Sequence, residues 1–301
     1  MLFRSQGIER NLQTAIAYFR QALEKDPEYA LAYAGLADAY IGLGAPTRGS
    51  GHPKDTLSQA KEVAARALEL DPSLAEAHFS LAQINEFYDW NWSEAEKEYR
   101  AALQLNPNYA FADIEYGRFL QAMGRDDEAI RHANYALELD PFDFKTKYYR
   151  AWVMWASRQD DLAIEEFGAL GADLGLGWAY QQKKMYPEAI AALQRSVSKS
   201  RRHSLELASL ACVYGLAGKK GEALKLIAEL NDRAQQHHVS GVLLAHAYLG
   251  LGEKDQALTW LERAYEDRDQ WMVYTKSAPN FDLLRPEPRF QALLRRMNFP
   301  P

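Results

Sequence analysis

The sequence predicts an all-α protein, a right-handed superhelix of stacked antiparallel helix pairs. Three observations predict it. Four Asp/Asn-Pro dipeptides each close an alanine-rich stretch of one form: Ala22-Leu23-Glu24-Lys25-Asp26-Pro27, Ala67-Leu68-Glu69-Leu70-Asp71-Pro72, Ala102-Leu103-Gln104-Leu105-Asn106-Pro107 and Ala136-Leu137-Glu138-Leu139-Asp140-Pro141. Their prolines lie 45, 35 and 34 residues apart (72−27, 107−72, 141−107). Small residues recur at fixed offsets inside each period, which lets two helices approach closely while large residues fill the gaps between ridges. A period near 34 marks a stacked array of helix pairs. Such an array offers an extended surface rather than a pocket built around chemistry.

Each unit is expected to read W-x2-L-G-x2-Y in its first helix and A-x3-F near the start of its second, with a closing Pro. Residues 6–27 supply only a second helix, Ala15, Phe19, Ala22 and Pro27, so they read as a half repeat. Its partner would lie upstream of about Ile8. Residues 28–269 read as seven units. The first of these runs through Tyr33, Leu36, Ala37 and Tyr40 to Ala60, Ala64, Ala67 and Pro72. Between its helices, residues 44–54 form a Gly/Pro-rich insertion of 11 residues (45−34), expected to be a loop. The next two carry His78, Leu81, Ala82, Ala95, Tyr99 and Ala102, then Tyr116, Gly117, Leu120, Ala129, Ala133 and Ala136. The following unit starts with Ala151, Met154, Ala163 and Phe167, but the next equivalent alanine, Ala189, comes only 26 residues later (189−163). Eight residues (34−26) are therefore missing, and the deletion is placed near 168–172, with Gly168, Gly171 and Gly175 weakening the helix there. From Ala189 the period returns to 34 (223−189, 257−223) through Leu210, Ala211, Tyr214, Leu244, Ala245 and Tyr248. Gly44, Gly124, Gly218 and Gly252 are expected at the turns between paired helices, with positive φ. Residues 270–301 leave the period and end in a short amphipathic stretch, Arg289 to Met297; they are expected to cap the last apolar face.

Residues 1–5 read as a non-native scar. Met1-Leu2-Phe3-Arg4-Ser5 is what ATG CTC TTC CGA TCT encodes, and the bases after the ATG match the end of a common sequencing adapter. The natural chain is then expected to begin earlier.

Composition narrows the function. An apolar fraction of 48% fits a folded chain. The net charge of −6 is mild, and no Lys/Arg-rich stripe is present, which argues against nucleic-acid binding by this segment. A single cysteine, Cys212, excludes an internal disulfide and offers no metal cluster. No apolar run of about 18 residues and no signal-peptide core occur, so no membrane interaction is expected and a cytoplasmic location is.

The groups that could carry chemistry have plainer readings. His237, His238 and His246 lack the i, i+4 spacing and acidic third ligand of a helical metal site. Gly44-x4-Gly49-Ser50 lacks the lysine and preceding strand of a phosphate loop. Gly175-Leu176-Gly177 lacks the third glycine and strand of a dinucleotide fold, and reads as close helix approach. Asp126-Asp127 and Asp160-Asp161 open second helices, where negative charge is favourable by about 0.3–1 kcal/mol. Cys212 lies in an apolar helix with no nearby base to activate it. The sequence thus points to no catalytic residue, no cofactor and no metal, and to a chain that is not an enzyme.

The face of the first helices that points away from the packing stripe is the candidate binding site. It comprises Phe79, Gln83, Glu86, Phe111, Ile114, Arg118, Tyr148, Trp152, Trp155, Trp178 and Gln181. Tyr148, Trp152 and Trp155 fall at i, i+4 and i+7, one face of one helix. Buried Trp and Tyr serve as anchors in protein interfaces, although the same spacing also suits packing. Arg118 and Glu86 are expected at its rim.

The repeat pattern resembles that of tetratricopeptide proteins over essentially the whole chain. A narrower resemblance rests on segments outside the repeat core. These are Tyr29-Ala30-Leu31-Ala32-Tyr33-Ala34-Gly35-Leu36-Ala37-Asp38-Ala39-Tyr40, Leu74-Ala75-Glu76-Ala77-His78, Asp89-Trp90-Asn91-Trp92 and Phe281-Asp282-Leu283-Leu284-Arg285-Pro286-Glu287-Pro288-Arg289-Phe290. They resemble the C-terminal tetratricopeptide module of bacterial winged-helix regulators and serine/threonine kinases. That resemblance implies a protein- or peptide-binding part, sensory or scaffolding, of a larger bacterial regulator. Chaperone-tail-binding members of the family use lysine and asparagine clamps; here Asp38, Gln83 and Trp152 fill the equivalent places, which disfavours that ligand class. The competing expectations are a structural spacer or homo-oligomerisation element and, behind it, an enzyme with an unrecognised site.

Overall fold

The computed structural model of the protein describes residues 2–45, 53–236 and 238–300. Every regular element among them is helical. The chain divides into two compact units: residues 2–112 with 267–273, and residues 113–266 with the segment from 274 onward.

The N-terminal unit holds α1 (Leu2–Lys25), α2 (Ala30–Gly44), α3 (Pro53–Leu70), α4 (Ala75–Ile84), a π-turn (Asn85–Asp89) and α5 (Trp92–Leu105). The inserted loop, apart from its ends, lies outside the described residues, as do Gly49 and Ser50. α6 (Ala110–Ala122) falls at the division. The C-terminal unit continues with α7 (Asp126–Leu139), α8 (Phe144–Ala156), α9 (Asp160–Ala169), α10 (Asp173–Gln182), α11 (Tyr186–Lys199) and α12 (Ser204–Leu216). It ends with α13 (Lys220–Ala234), α14 (Gly241–Gly250), α15 (Lys254–Glu266), a 3-10 turn (Pro279–Leu284) and α16 (Pro288–Arg296). Another 3-10 turn spans Gln270–Tyr274. Even-numbered helices from α2 to α14 are the first members of the pairs; odd-numbered helices from α3 to α15 are the second.

The four Asp/Asn-Pro dipeptides end their helices in one way. The amide of Asp26, Asp71, Asn106 and Asp140 donates to the carbonyl of Ala22, Ala67, Ala102 and Ala136, at 2.9–3.0 Å. Proline, with no N–H, cannot carry the helix on. The side-chain oxygen then accepts the amide two residues later, from Glu28, Ser73, Asn108 and Phe142, and so starts the turn into the next helix. The alanines face the packing: Ala60, Ala64, Ala67, Ala95, Ala102, Ala129, Ala133, Ala136, Ala163, Ala189, Ala223 and Ala257 are all 0% exposed.

The turns inside the pairs show where the period breaks. Positive φ occurs at Gly124, Arg158, Lys184, Gly218 and Gly252. Their spacings are 34, 26, 34 and 34 (158−124, 184−158, 218−184, 252−218). The shortening is shared by two helices: α9 has 10 residues where α7 and α11 have 14, and α10 has 10 where α8 and α12 have 13. Gly171, with φ +60, joins them, while Gly175 lies inside α10, where a Cβ would stand 2.4 Å from the Phe167 ring. Gly177 meets Leu193 equally closely, so close helix approach accounts for the Gly-x-Gly pair. Gly44 departs from its expected role. It is the last residue of α2 and has no positive φ; a Cβ there would meet the Thr56 hydroxyl oxygen at 2.2 Å. Contact with α3, not turn geometry, requires glycine at that position.

Candidate functional site

In the N-terminal unit the first-helix face carries Phe79, Gln83, Glu86 and Phe111. Phe79, 3% exposed, is the centre of an aromatic group, with the Phe111 ring 5.5 Å away edge-on, Tyr109 at 5.3 Å and Tyr99 at 6.0 Å. Gln83 is 7% exposed. Glu86, expected as a rim charge, is 1% exposed, and its carboxylate accepts the Tyr99 hydroxyl at 2.6 Å. It lies in the π-turn and continues the buried face of Phe79 and Gln83. Beside it, the Arg268 guanidinium stacks over Trp90 at 4.1 Å and donates to the Tyr88 carbonyl at 3.0 Å.

In the C-terminal unit the aromatic strip is a continuous ladder. Trp152 and Trp155 have centroids 6.0 Å apart, and Trp155 and Trp178 5.3 Å apart. Tyr148 packs on Phe167 at 5.4 Å. Trp178 donates its indole N–H to the Ser209 hydroxyl at 2.9 Å. Trp152, Trp155 and Trp178 are 5, 2 and 5% exposed, and Ile114 is 0% exposed. Gln181 is half-buried.

Residues from the C-terminal segment cover this strip. Tyr274 stands edge-on to Trp152 at 5.0 Å. The Ser277 hydroxyl donates to Gln121 Oε1 at 3.0 Å, Gln181 Nε2 donates to Asn280 Oδ1 at 3.3 Å, and Arg158 pairs with Asp282 at 2.8 Å. Phe281 lies 6.3 Å from the His246 ring. These partners sit on α6, α8, α10 and α14 or in the turn after α8. α16 packs separately against α15, through Arg289 on Glu262 and Arg296 on Glu266. Arg118 is consequently no rim charge. Its guanidinium sits 4.4 Å from the Tyr149 ring centroid and 5.0 Å from those of both Trp152 and Tyr274, and it pairs with Glu115 at 2.7 Å. Tyr149, Glu115, Tyr274, Ser277 and Asn280 were not singled out in the sequence. Their part depends on a segment outside the period, whose only signal was that its aromatic residues did not fit the repeat.

Of the other candidates, Cys212 and His246 are buried, whereas His238, Asp127 and Asp161 are exposed. The thiol of Cys212 is pushed up to about 12 by burial, which keeps it protonated and unreactive. Burial pushes His246 down to about 4. Burial also holds the carboxyls of Asp126 and Asp160, at the starts of α7 and α9, above the usual range. His237 lies outside the described residues. No helix among the described residues is long and apolar enough to cross a membrane.

Two stretches match family models of the tetratricopeptide repeat, residues 8–49 and 242–266. They take in helices from both ends of the array. The chain carries tetratricopeptide repeats in these two stretches. This array is similar to a chain of the APC/C hetero-tetramer Cut9–Hcn1, with a TM-score of 0.60 and 17% identity. That match covers 85% of this chain and 47% of the other, so this chain spans about half of it. It is also similar to a tetratricopeptide repeat protein from Parabacteroides merdae, with a TM-score of 0.55 and 16% identity over 88% of this chain and 98% of the other. At these identities the likeness shows a shared tetratricopeptide fold. The search among curated proteins finds no match.

Proposed function

We propose that the chain is a protein-binding module, the sensory or scaffolding part of a larger bacterial signalling or transcription regulator, and that it holds an extended segment of its partner on the first-helix face. One observation carries the reading. In the C-terminal unit this face already holds a stretch of non-repeat polypeptide, Tyr274–Asp282, through an aromatic contact on Trp152, a hydrogen bond that Gln121 accepts from Ser277 and one that Gln181 donates to Asn280. Aromatic anchors with flanking side-chain hydrogen bonds are how grooves take extended peptides. The regulator context rests on the resemblance of residues 29–40, 74–78, 89–92 and 281–290. One of the similar chains comes from the Cut9–Hcn1 hetero-tetramer, which fits an assembly role.

The burial of Trp152, Trp155 and Trp178 favours a second reading, in which the strip is a structural core and the chain a spacer. Photo-crosslinking separates the two. A benzophenone side chain placed at Glu76 or Gln181, on first helices, is compared with one at Glu62 or Glu138, on second helices, in cells of the source organism. Crosslinks to a defined partner from the first-helix positions support the binding module. Crosslinks confined to Glu62 and Glu138, or none at all, overturn it. Trp152→Ala with Trp155→Ala then tests the strip itself: a large fall in melting temperature with unchanged capture by the folded fraction makes it core.

A further inference from the structure

Residues Tyr274–Asp282 lie on the first-helix face of the C-terminal unit as a strap that holds its own shape. The amide of Ala278 donates to the Tyr274 carbonyl at 2.8 Å, and that of Phe281 to the Ala278 carbonyl at 3.2 Å. Arg285 gathers the same loop from its far end, donating to the carbonyls of Lys276 and Ser277 and to the Asp282 carboxylate.

Side chains tie the strap to the helices in a fixed order. Tyr274 meets Trp152 of α8, Ser277 donates to Gln121 of α6, Asn280 accepts from Gln181 of α10, and Asp282 pairs with Arg158 in the turn after α8. An aromatic ring, a hydroxyl, an amide and a carboxylate thus follow at i, i+3, i+6 and i+8 (277−274, 280−274, 282−274). The last tie is open to water, with the Arg158 and Asp282 side chains 40% and 46% exposed. An exposed ion pair contributes little to the fold, so this end of the strap is the one that opens at least cost.

We propose that the strap is an intramolecular stand-in for the partner: the face of α6, α8 and α10 accepts a partner segment carrying the same series of groups, and that segment gains the face by displacing the strap. The proposal rests on the binding-module reading and adds the partner's chemistry and its control. A tethered segment acts at an effective concentration of about millimolar. A face that is open for only a fraction of the time binds with its affinity reduced by that fraction. The strap thus excludes segments that lack the series.

The test uses the full chain and a fluorescein-labelled peptide of residues 273–286, with a scrambled peptide of the same composition. Fluorescence anisotropy is expected to show weak binding of the native-order peptide to the parent, whose own strap competes. Ser277→Ala with Asn280→Ala and Asp282→Ala loosens the strap and leaves the face intact; it should bind the peptide about tenfold more tightly. Glu262→Ala with Glu266→Ala, which loosens α16 from α15 instead, should leave binding unchanged. Arg158→Glu should prefer a peptide carrying Asp282→Arg over the native peptide, and the loosened chain the reverse. Equal binding of the scrambled peptide, no gain in the loosened chain, or an equal gain in the α16 variant overturns the proposal. If the peptide fails with every variant while crosslinks from Gln181 still reach a partner, the strap is a fixed part of the core and the binding module stands. If the peptide exchanges but no position crosslinks to a partner, the binding module falls, and with it the displacement of the strap by a partner.

Discussion

The ring of Tyr274 stands edge-on to that of Trp152, with centroids 5.0 Å apart and planes at 70°. Such pairs add about 0.5–1.5 kcal/mol to the area they bury. The contact joins a residue outside the repeat period to the centre of the aromatic strip, and both rings flank the Arg118 guanidinium.

Removing the Tyr274 ring should therefore unseat more than one side chain. Tyr274→Ala is expected to lower stability by about 3 kcal/mol, as for other large-to-small changes at buried aromatic sites. It should also raise acrylamide quenching of tryptophan fluorescence, because Trp152 gains access to water. Unchanged quenching would show that the strip is covered without Tyr274.

Two glycines test close approach against backbone freedom. A Cβ on Gly250 would lie 2.2 Å from the Cys212 carbonyl oxygen, so Gly250→Ala must push α14 away from α12; overpacking of this kind costs about 1–3 kcal/mol. Gly221 in α13 has no positive φ and nothing within 4 Å of its Cβ position, and Gly221→Ala should stabilise by up to about 1 kcal/mol. Urea denaturation of both variants checks the opposite signs; two shifts in one direction would remove the packing argument.

The repeats were legible because their signal is local. Ala129, Ala133 and Ala136 announce a tightly packed face within a single helix, and Asp140-Pro141 announces its end. The eight-residue shortening was legible as arithmetic between Ala163 and Ala189. Its division between α9 and α10 was not, because residue spacing does not say which helix gives up a turn. The surroundings of Arg118 were hidden for a further reason. Three rings and Glu115 enclose it, and one of the rings, Tyr274, is 156 residues away (274−118) in a segment with no period to set its register. Glu86 reads as a surface charge in sequence because nothing there shows that its face is covered or that the Tyr99 hydroxyl meets its carboxylate.

The junction of α9 and α10 should open more readily than the rest of its unit. Both helices are 10 residues long, so each has fewer internal hydrogen bonds, and Gly168 and Gly171 add backbone entropy to the unfolded chain. Hydrogen exchange followed by mass spectrometry is expected to show faster exchange over Phe167–Gly177 than over Ala129–Ala136 of α7. Equal protection of the two stretches would contradict this.

His246 gives the fold an acid-sensitive point. Its ring is 4% exposed, Nε2 has no hydrogen-bond partner among the described residues, and Phe281 of the C-terminal segment lies 6.3 Å away. Burial disfavours the charged imidazolium and moves the folded-state value from 6.5 to about 4. Between those limits the unfolded chain binds a proton that the folded chain excludes, so stability falls as pH drops through that window and is fully present above about 6.5. A shift of this size corresponds to about 3 kcal/mol between pH 7 and pH 4. His246→Leu, which keeps an apolar side chain of similar bulk, should remove that part of the pH dependence. Urea denaturation of both proteins at intervals from pH 7 to pH 4 measures it as the difference between two curves, and other titrating groups cancel. Phe281→Ala should act midway: by admitting water to the imidazole it raises the folded-state value toward 6.5, visible in an NMR titration of the His246 ring protons. Parallel stability curves for the parent and His246→Leu would show that His246 is not buried as a neutral ring, and the acid sensitivity would then belong to carboxylates such as Asp282 that hold the C-terminal segment.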